Sequence, residues 1–153
     1  MRSVVQRVES CLLSVEGREI SRIGPGLVCY LGVAAGDTDS DLAWMVKKVA
    51  GLRIFHDEAG KMNFSVLDLG LAVLVVPQFT LFGDVRRGYR PSFSGAEAPK
   101  EAQTLYEHFL DSLRTAGVKS VAGGVFGADM TIDQKNRGPV TIILDSRSEN
   151  TRQ

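Results

Sequence analysis

The stretch GPGLVCYLGV, residues 24–33, marks where the chain passes from a turn into a buried strand. Gly24-Pro25-Gly26 is a strong turn signal, and the continuous apolar run Leu27–Val33 is typical of a buried strand. After Asp37-Thr38-Asp39, a segment typical of helix capping, apolar residues recur at helical spacing. These residues are Leu42, Met45, Val46, Val49 and Leu52. The sequence therefore predicts a turn, a strand and an amphipathic helix in that order.

Most segments on either side of this stretch are predicted strands. Upstream, Arg2–Val8 and Cys11–Val15 are separated by a short polar break. Downstream, Ala72–Leu81 is interrupted by Pro77, which has no N–H to donate to a ladder and so marks an edge, a strand end or a bulge. Three further strands are predicted near the C-terminus, at Val118–Val125, Met130–Ile132 and Pro139–Leu144.

A second helix is predicted to begin near Pro99, because proline suits the first helical turn. Its apolar face comprises Ala102, Leu105, Tyr106, Phe109, Leu110 and Leu113. Gly117 suits the C-terminal end of that helix, and the preceding Phe82–Gly95 is loop-like. Since strands outnumber helices and cluster at both ends of the chain, the prediction is a single α+β domain with a mostly antiparallel sheet. No GxGxxG motif or P-loop favours a doubly wound fold.

The composition is that of an ordinary globular protein, with 44% hydrophobic and 24% charged residues in a chain of 153. Eighteen Lys and Arg balance eighteen Asp and Glu, so no net cationic field attracts nucleic acid non-specifically. The longest apolar stretch, Leu69–Val76, is much shorter than the roughly 20 residues of a membrane span. The first ten residues lack the apolar region of a secretory signal. A cytoplasmic location is the default prediction.

Cysteine and histidine are scarce. Cys11 and Cys29 each lie inside an apolar stretch and are predicted to be buried thiols of a reducing compartment. His56 and His108 are too few and too scattered for a zinc cluster. We interpret the first as a loop or capping residue and the second as a surface residue. The sequence therefore predicts neither a metal nor a cofactor.

Two segments could carry chemistry: PQFTL at residues 77–81 and NRGPVT at residues 136–141. Taken alone, the first could be a strand entering a turn, and the second a turn that leads into the last strand. The chain has no G-x-S-x-G nucleophile elbow, and neither cysteine lies in an activating context. If the protein is a hydrolase, its rate enhancement would come from fixed backbone donors and from the substrate itself.

The pair of segments, about 60 residues apart, resembles the D-aminoacyl-tRNA deacylase family, which carries an SQxTL-type motif and an NxGPVT-type motif. The resemblance also covers segments spread along nearly the whole chain. They are QRV at 6–8, the LGV run ending at Val33, LRIFHDEAGKMNFSV at 52–66, RPSFS at 90–94 and FGADM at 126–130. It implies a single deacylase-like domain over residues 1–145, with a β-barrel-like core and two main helices, followed by a polar tail at 146–153.

The activity that the resemblance implies is editing by a homodimeric cytoplasmic enzyme. Such an enzyme hydrolyses the ester that joins a D-amino acid to the terminal adenosine of tRNA, and mischarged glycyl-tRNA is a further expected substrate. The family's mechanism is RNA-assisted, with the 2′-hydroxyl of the terminal ribose helping the attacking water. Backbone amides around Gln78, Phe79 and Thr80 would stabilise the oxyanion. A nucleophilic Thr80 hydroxyl is the weaker alternative, since no activating base is evident.

Chiral selectivity in the family depends on a Gly-cisPro pair, which corresponds here to Gly138-Pro139. The pair enters the active site of the other subunit and crowds the space that an L side chain would need. Its cis geometry is inferred from the resemblance alone. Arg7 matches the residue that orients this dipeptide; without the resemblance it would be interpreted as an exposed strand arginine.

The pocket for the terminal adenosine is expected at FGADM, with Phe126, Gly127, Ala128 and Met130 near the base or ribose. The alternative is a strand end with a packed phenylalanine and methionine. Arg86, Arg87 and Arg90 could contact phosphates of the acceptor end, since phosphate contacts position an RNA without specifying its sequence. A charge cluster of this kind can equally be a solvated loop.

The chain departs from the family pattern at Pro77, which replaces the usual serine and is assigned to substrate binding. A related group of deacylases with PQ at this point has relaxed chirality and acts on L-alanyl-tRNA. That group shows PQATL and a different tail motif, so Phe79 and the NRGPVT segment favour D-specificity. The alternatives are an L-alanyl-tRNA deacylase and a non-catalytic binder of nucleic-acid ends.

Overall fold

The structure, a computed structural model, describes residues 1–149. Its strands are β1 (Arg2–Val15), β2 (Arg18–Ile23), β3 (Gly26–Gly32), β4 (Phe55–His56), β5 (Met62–Phe64), β6 (Ala72–Pro77), β7 (Ser120–Gly123) and β8 (Met130–Asp145). Its helices are α1 (Asp39–Gly51), α2 (Val66–Leu69), α3 (Pro99–Thr115) and α4 (Ser146–Glu149), and a 3-10 turn spans Phe79–Phe82. Among these described residues, no helix is long and apolar enough to cross a bilayer.

Both predicted main helices are confirmed. α1 buries the predicted stripe of Leu42, Met45, Val46 and Val49, whereas Leu52 caps the helix and is only partly buried. α3 begins with Pro99 in its first turn, as predicted. Local periodicity sufficed for these two elements because each packs one apolar face against the sheet.

Two pairs of predicted strands are each a single long strand, so those boundaries were wrong. β1 runs through the polar break between Val8 and Cys11, and β8 runs from Met130 through NRGPVT to Asp145. Bulges in the β1–β8 ladder near Val8 let the polar residues of the break face outward. There the Glu9 carboxylate meets Lys135 at 2.7 Å.

β1 organises the sheet. Its first half pairs with β3 and its second half with β2 along one edge, while β8 pairs along the other edge, all antiparallel. β3, β6 and β7 continue the sheet in parallel. The sheet curls until Ser21 Oγ of β2 donates to the Gly123 carbonyl of β7 at 2.6 Å. The α+β fold with a barrel-like core is confirmed, and the two parallel pairs, whose connections contain α1 and α3, are an addition to it.

The apolar runs in the sheet are continuous because both faces of the central strands are buried. In β3, Leu27, Cys29 and Leu31 face the helices, while Val28 faces the interior of the barrel. β6 divides in the same way, and its last residue is Pro77. The strands β3 and β6 therefore end side by side, in a rigid setting for the residues that follow.

The predicted polar tail, 146–153, is described only in part. Residues 146–149 form α4, and Ser146 is buried. The Ser146 hydroxyl accepts a hydrogen bond from the α-amino group of Met1 at 2.6 Å and donates to Asp41 at 2.7 Å. Residues 150–153 lie outside the described residues, and the domain boundary stays a prediction.

Candidate active site

The segment PQFTL forms the end of β6 and the start of the 3-10 turn. Pro77 pairs with Leu31 in the parallel ladder, and the Gln78 amide donates to the Leu31 carbonyl at 2.8 Å. The first amides of such a turn have no acceptor within it. In the described part of the chain, the amides of Phe79 and Thr80 have no carbonyl partner. These two N–H groups are therefore available to a ligand, whereas that of Gln78 is not.

The side chains of this turn are held in place by two contacts. Gln78 Nε2 donates to Thr80 Oγ1, which fixes the threonine hydroxyl toward the glutamine. The Phe79 ring is more than half exposed and packs edge-on against Phe93, with centroids 5.0 Å apart. Phe93 belongs to RPSFS, so that segment supports the turn; the resemblance included it without assigning it a role.

Two clefts adjoin the turn, and both are lined by Pro77, Gln78, Phe79 and Gly127. The more enclosed one, of about 70 Å³, extends to Phe126. The other, of about 290 Å³, extends over Ala128, Asp129 and Met130. The structure thus brings the PQFTL and FGADM segments together at one site, as the resemblance implies. Among the described residues that line these clefts, Asp129 is the only carboxylate, and sequence reasoning did not single it out.

Tyr106 of α3 is a second residue that sequence reasoning missed, because it was counted only as part of the apolar face. Its side chain is buried and lines the smaller cleft. The hydroxyl lies 3.1 Å from the Val75 carbonyl and 3.0 Å from the Gly124 carbonyl, and donates its proton to them. Burial raises the pKa of Tyr106 well above its ordinary value, so the donor stays protonated. The signal was available, since a buried tyrosine hydroxyl needs a partner.

The NRGPVT segment lies elsewhere on the chain, in a wide bulge of β8. Gln6 pairs with Thr141 and Val8 pairs with Asn136, so residues 137–140 all lie opposite Arg7. The Gly138-Pro139 peptide bond is cis, both residues are exposed, and Gly138 has a φ of +131°. Within residues 1–149, neither residue lines the two clefts described above.

Arg7 is buried beneath this bulge, with 6% of its surface exposed, so the interpretation as an exposed strand arginine is wrong. Its Nε donates to the Arg137 carbonyl at 3.1 Å, and its Nη1 donates to the Ile54 carbonyl at 2.5 Å. A Cβ added at Gly138 would lie 3.1 Å from Arg7 Nη2. The guanidinium therefore ties the bulge to the segment that follows α1.

The two cysteines and two histidines do not line the two clefts. Cys11 and Cys29 are buried, as predicted, and burial raises the pKa of the Cys29 thiol to about 12. His56 and His108 are exposed. Among the described residues, no three His, Cys, Asp or Glu side chains are grouped so that they could hold a metal ion.

Comparison with known proteins gives one consistent family. The family model for D-Tyr-tRNA(Tyr) deacylase matches residues 4–145. A D-aminoacyl-tRNA deacylase from Myxococcus xanthus is 53% identical over 146 residues, which cover 95% of each chain.

Solved structures share the fold. The c-Myc DNA unwinding element binding protein superposes with a TM-score of 0.90 at 41% identity, over 95% of this chain and 98% of its own. A probable eukaryotic D-amino acid tRNA deacylase superposes at 0.84 with 21% identity, over 94% and 97%. Since the family model spans most of its length, the chain belongs to the D-Tyr-tRNA(Tyr) deacylase family and is an enzyme of the D-aminoacyl-tRNA deacylase class.

Proposed function

We propose that the protein hydrolyses the ester of D-aminoacyl-tRNA, and of mischarged glycyl-tRNA, as a cytoplasmic homodimer. Water adds to the ester carbonyl, the bond to the ribose oxygen breaks, and that oxygen takes up a proton. The products are the free amino acid and tRNA. The observation that carries this proposal is the pair of unpartnered amides at Phe79 and Thr80, which lie between two clefts.

Oxyanion stabilisation is the role that we assign to these amides. Donors fixed where negative charge develops contribute without reorganising during the reaction. The Gln78 amide is already bonded to Leu31, so the role of Gln78 is to position Thr80 through its side chain. The terminal adenosine would occupy the cleft of Gly127, Ala128 and Met130, with Phe126 and Pro77 beside it.

Activation of the water is assigned to the 2′-hydroxyl of the terminal ribose. The protein's own candidate for a base is Asp129, an exposed carboxylate at the rim of the larger cleft. The two mechanisms differ in what they require of this residue. With the ribose as activator, Asp129→Asn should retain most of kcat, whereas a general base typically contributes about 100-fold or more.

Rejection of L-amino acids is assigned to Gly138-Pro139 of a second subunit. Both residues are exposed, and in the described chain they lie away from the clefts that they would have to reach. Arg7 supports the role from below, because its two hydrogen bonds fix the bulge that presents the dipeptide. A backbone wedge held in this way excludes a side chain by its shape.

The test is release of labelled amino acid from D-tyrosyl-tRNA, with L-tyrosyl-, glycyl- and L-alanyl-tRNA run beside it. We expect fast loss of the D and glycyl esters, with both L esters spared. Similar rates for L-alanyl and D esters would show that Pro77 marks relaxed chirality. No turnover of any ester would overturn the proposal and leave a binder of nucleic-acid ends.

A further inference from the structure

A hairpin-like loop beside the catalytic turn carries three arginines and a tyrosine; we call residues 84–94 the arginine loop. Its base is closed by reciprocal backbone hydrogen bonds between Asp84 and Ser92, of 2.8 and 2.9 Å. Phe93, the next residue, packs against Phe79. The loop therefore has a fixed position relative to the amides that we assign to the oxyanion.

The three arginines of the loop differ in their partners. Arg86 is paired with Asp84, whose carboxylate accepts from Arg86 Nη2 at 2.6 Å and from its backbone amide at 2.9 Å. These bonds lower the pKa of Asp84 to about 2, so the pair persists at neutral pH. Arg87 and Arg90 are exposed, and within residues 1–149 neither meets a carboxylate. Two uncompensated positive charges thus line a polar cleft of about 330 Å³.

The tip of the loop adds an aromatic side chain. Tyr89 is fully exposed and follows Gly88, which has a φ of +129°. A site for a free phosphate ion would require only the arginines and no aromatic ring. Cations next to an open aromatic ring suit a single RNA strand, whose phosphates pair with the cations and whose bases stack on the ring.

We propose that the arginine loop binds the single-stranded 3′ end of the tRNA, next to its terminal nucleotide. Arg87 and Arg90 contact phosphates, Tyr89 stacks on a base, and Arg86 holds the shape of the loop through Asp84. The proposal rests on the proposed function, because the loop adjoins the site where the ester would lie. It also explains how a chain without net charge holds a polyanion, since the attraction is local.

The test compares two substrates with the same ester: D-tyrosyl-tRNA and 3′-D-tyrosyl-adenosine, which has no phosphate. The measured quantity is kcat/KM for D-tyrosyl-tRNA divided by kcat/KM for 3′-D-tyrosyl-adenosine. A general loss of active enzyme cancels in this ratio. For Arg87→Gln with Arg90→Gln we expect this ratio to fall about tenfold. The plot of log kcat/KM for tRNA against log salt concentration has a negative slope. This slope should become less steep by about one for each arginine removed. Tyr89→Ala should lower the ratio and leave the slope unchanged.

The matched control is Lys47→Gln with Lys119→Gln, which removes the same charge from exposed positions. Lys119 immediately precedes β7, at the end of the parallel strands opposite Pro77. This control should keep the ratio and the salt slope of the wild type. An equal fall in the control would show that net charge alone acts, and would overturn the proposal.

Other outcomes are equally decisive. An unchanged ratio in the Arg87→Gln, Arg90→Gln variant would contradict the proposed phosphate contacts. An unchanged ratio in Tyr89→Ala would contradict base stacking and leave a simple anion site. A wild type that cleaves both esters without preferring tRNA defeats only the arginine loop. A wild type that cleaves neither ester defeats the proposed function itself.

Discussion

At the scale of single residues, Arg7 shows how a charge can be buried without a carboxylate. Among residues 1–149 its guanidinium bonds only to the carbonyls of Ile54 and Arg137. The planar fork spans two carbonyls on different segments, whereas an ammonium group is a compact point donor. Arg7 thus links the bulge around Gly138 to the segment that follows α1.

We expect Arg7→Lys to fold but to lose one of these bonds, at a cost of about 2 kcal/mol in the free energy of unfolding. The bulge should loosen, so the ratio of D- to L-tyrosyl-tRNA hydrolysis should fall while hydrolysis of the D ester persists. Urea unfolding and paired ester assays measure the two effects. An unchanged ratio in a destabilised variant would show that Arg7 is only structural.

Two substitutions at Thr80 distinguish a role of its backbone amide from a role of its side-chain hydroxyl. Thr80→Val removes the hydroxyl and keeps the amide, so we expect kcat to stay within a few-fold of the wild type. Thr80→Pro removes the amide, which no hydrogen bond within the turn uses, and kcat should fall by about 100-fold or more. If valine were as damaging as proline, the nucleophilic hydroxyl would be the better explanation.

At the scale of elements, α1 is joined to α4 through one carboxylate. Asp41 accepts from the Thr38 amide and hydroxyl, both at 2.9 Å, and from Ser146 Oγ at 2.7 Å. Partial burial alone would raise the pKa of Asp41, but the hydrogen bonds from Ser146 and Thr38 outweigh it and lower the pKa to about 2. The ionised form of Asp41 thus stabilises the capping box of α1 and its contact with Ser146 at the start of α4.

This junction should be sensitive to acid. Because the folded-state pKa is depressed below the ordinary 3.8, the stabilisation is present above that pH and is lost as pH falls toward about 2. We expect Asp41→Asn to lower the free energy of unfolding by about 1 kcal/mol at pH 7, allowing for solvent screening. Unfolding curves at pH 7, 4 and 3 should show the difference shrinking, whereas a constant difference would contradict the assignment.

The elements also show what a sequence can predict. α1 and α3 follow from local periodicity, since each residue's environment is set by neighbours three or four positions away. Local periodicity does not predict that Arg2–Val8 and Cys11–Val15 form one strand. Their joining depends on bulges opposite Asn136, far along the chain. Gln78, Phe79 and four of the five FGADM residues were assigned through family resemblance. Asp129 was missed because its place at a cleft is set by tertiary packing, and Tyr106 because it was counted only as part of an apolar face.

At the scale of the whole molecule, the proposed site needs two copies of the chain. Gly138→Ala puts a Cβ 2.9 Å from Val140 Cγ2, at a φ that disfavours L side chains, so the bulge must shift. We expect this variant to cleave L as well as D esters, and the Thr80→Pro variant to be inactive. Refolding them together should lower L hydrolysis relative to D hydrolysis, since in mixed dimers the active amides of one subunit meet an intact bulge of the other. Unchanged L hydrolysis after unfolding and refolding the variants together would exclude a cross-subunit wedge.

Light scattering on the unmixed proteins is the control for that experiment. The wild type and each variant should have about twice the chain mass of 16.6 kDa, because a single substitution leaves the rest of the proposed subunit interface intact. A monomeric wild type would contradict the dimer, and with it the cross-subunit wedge.

The ladder between β1 and β8 has a consequence for biosynthesis. It joins residues 2–15 to residues 130–145, so β1 leaves the ribosome well before the strand with which it pairs. Until then, one edge of β1 is open to other nascent chains, and such long-range pairing is slow to form. Arg7 meets the bulge around Gly138 only when synthesis has passed that point. The selectivity that we assign to the bulge would therefore be acquired only after β8 has been made and has paired with β1.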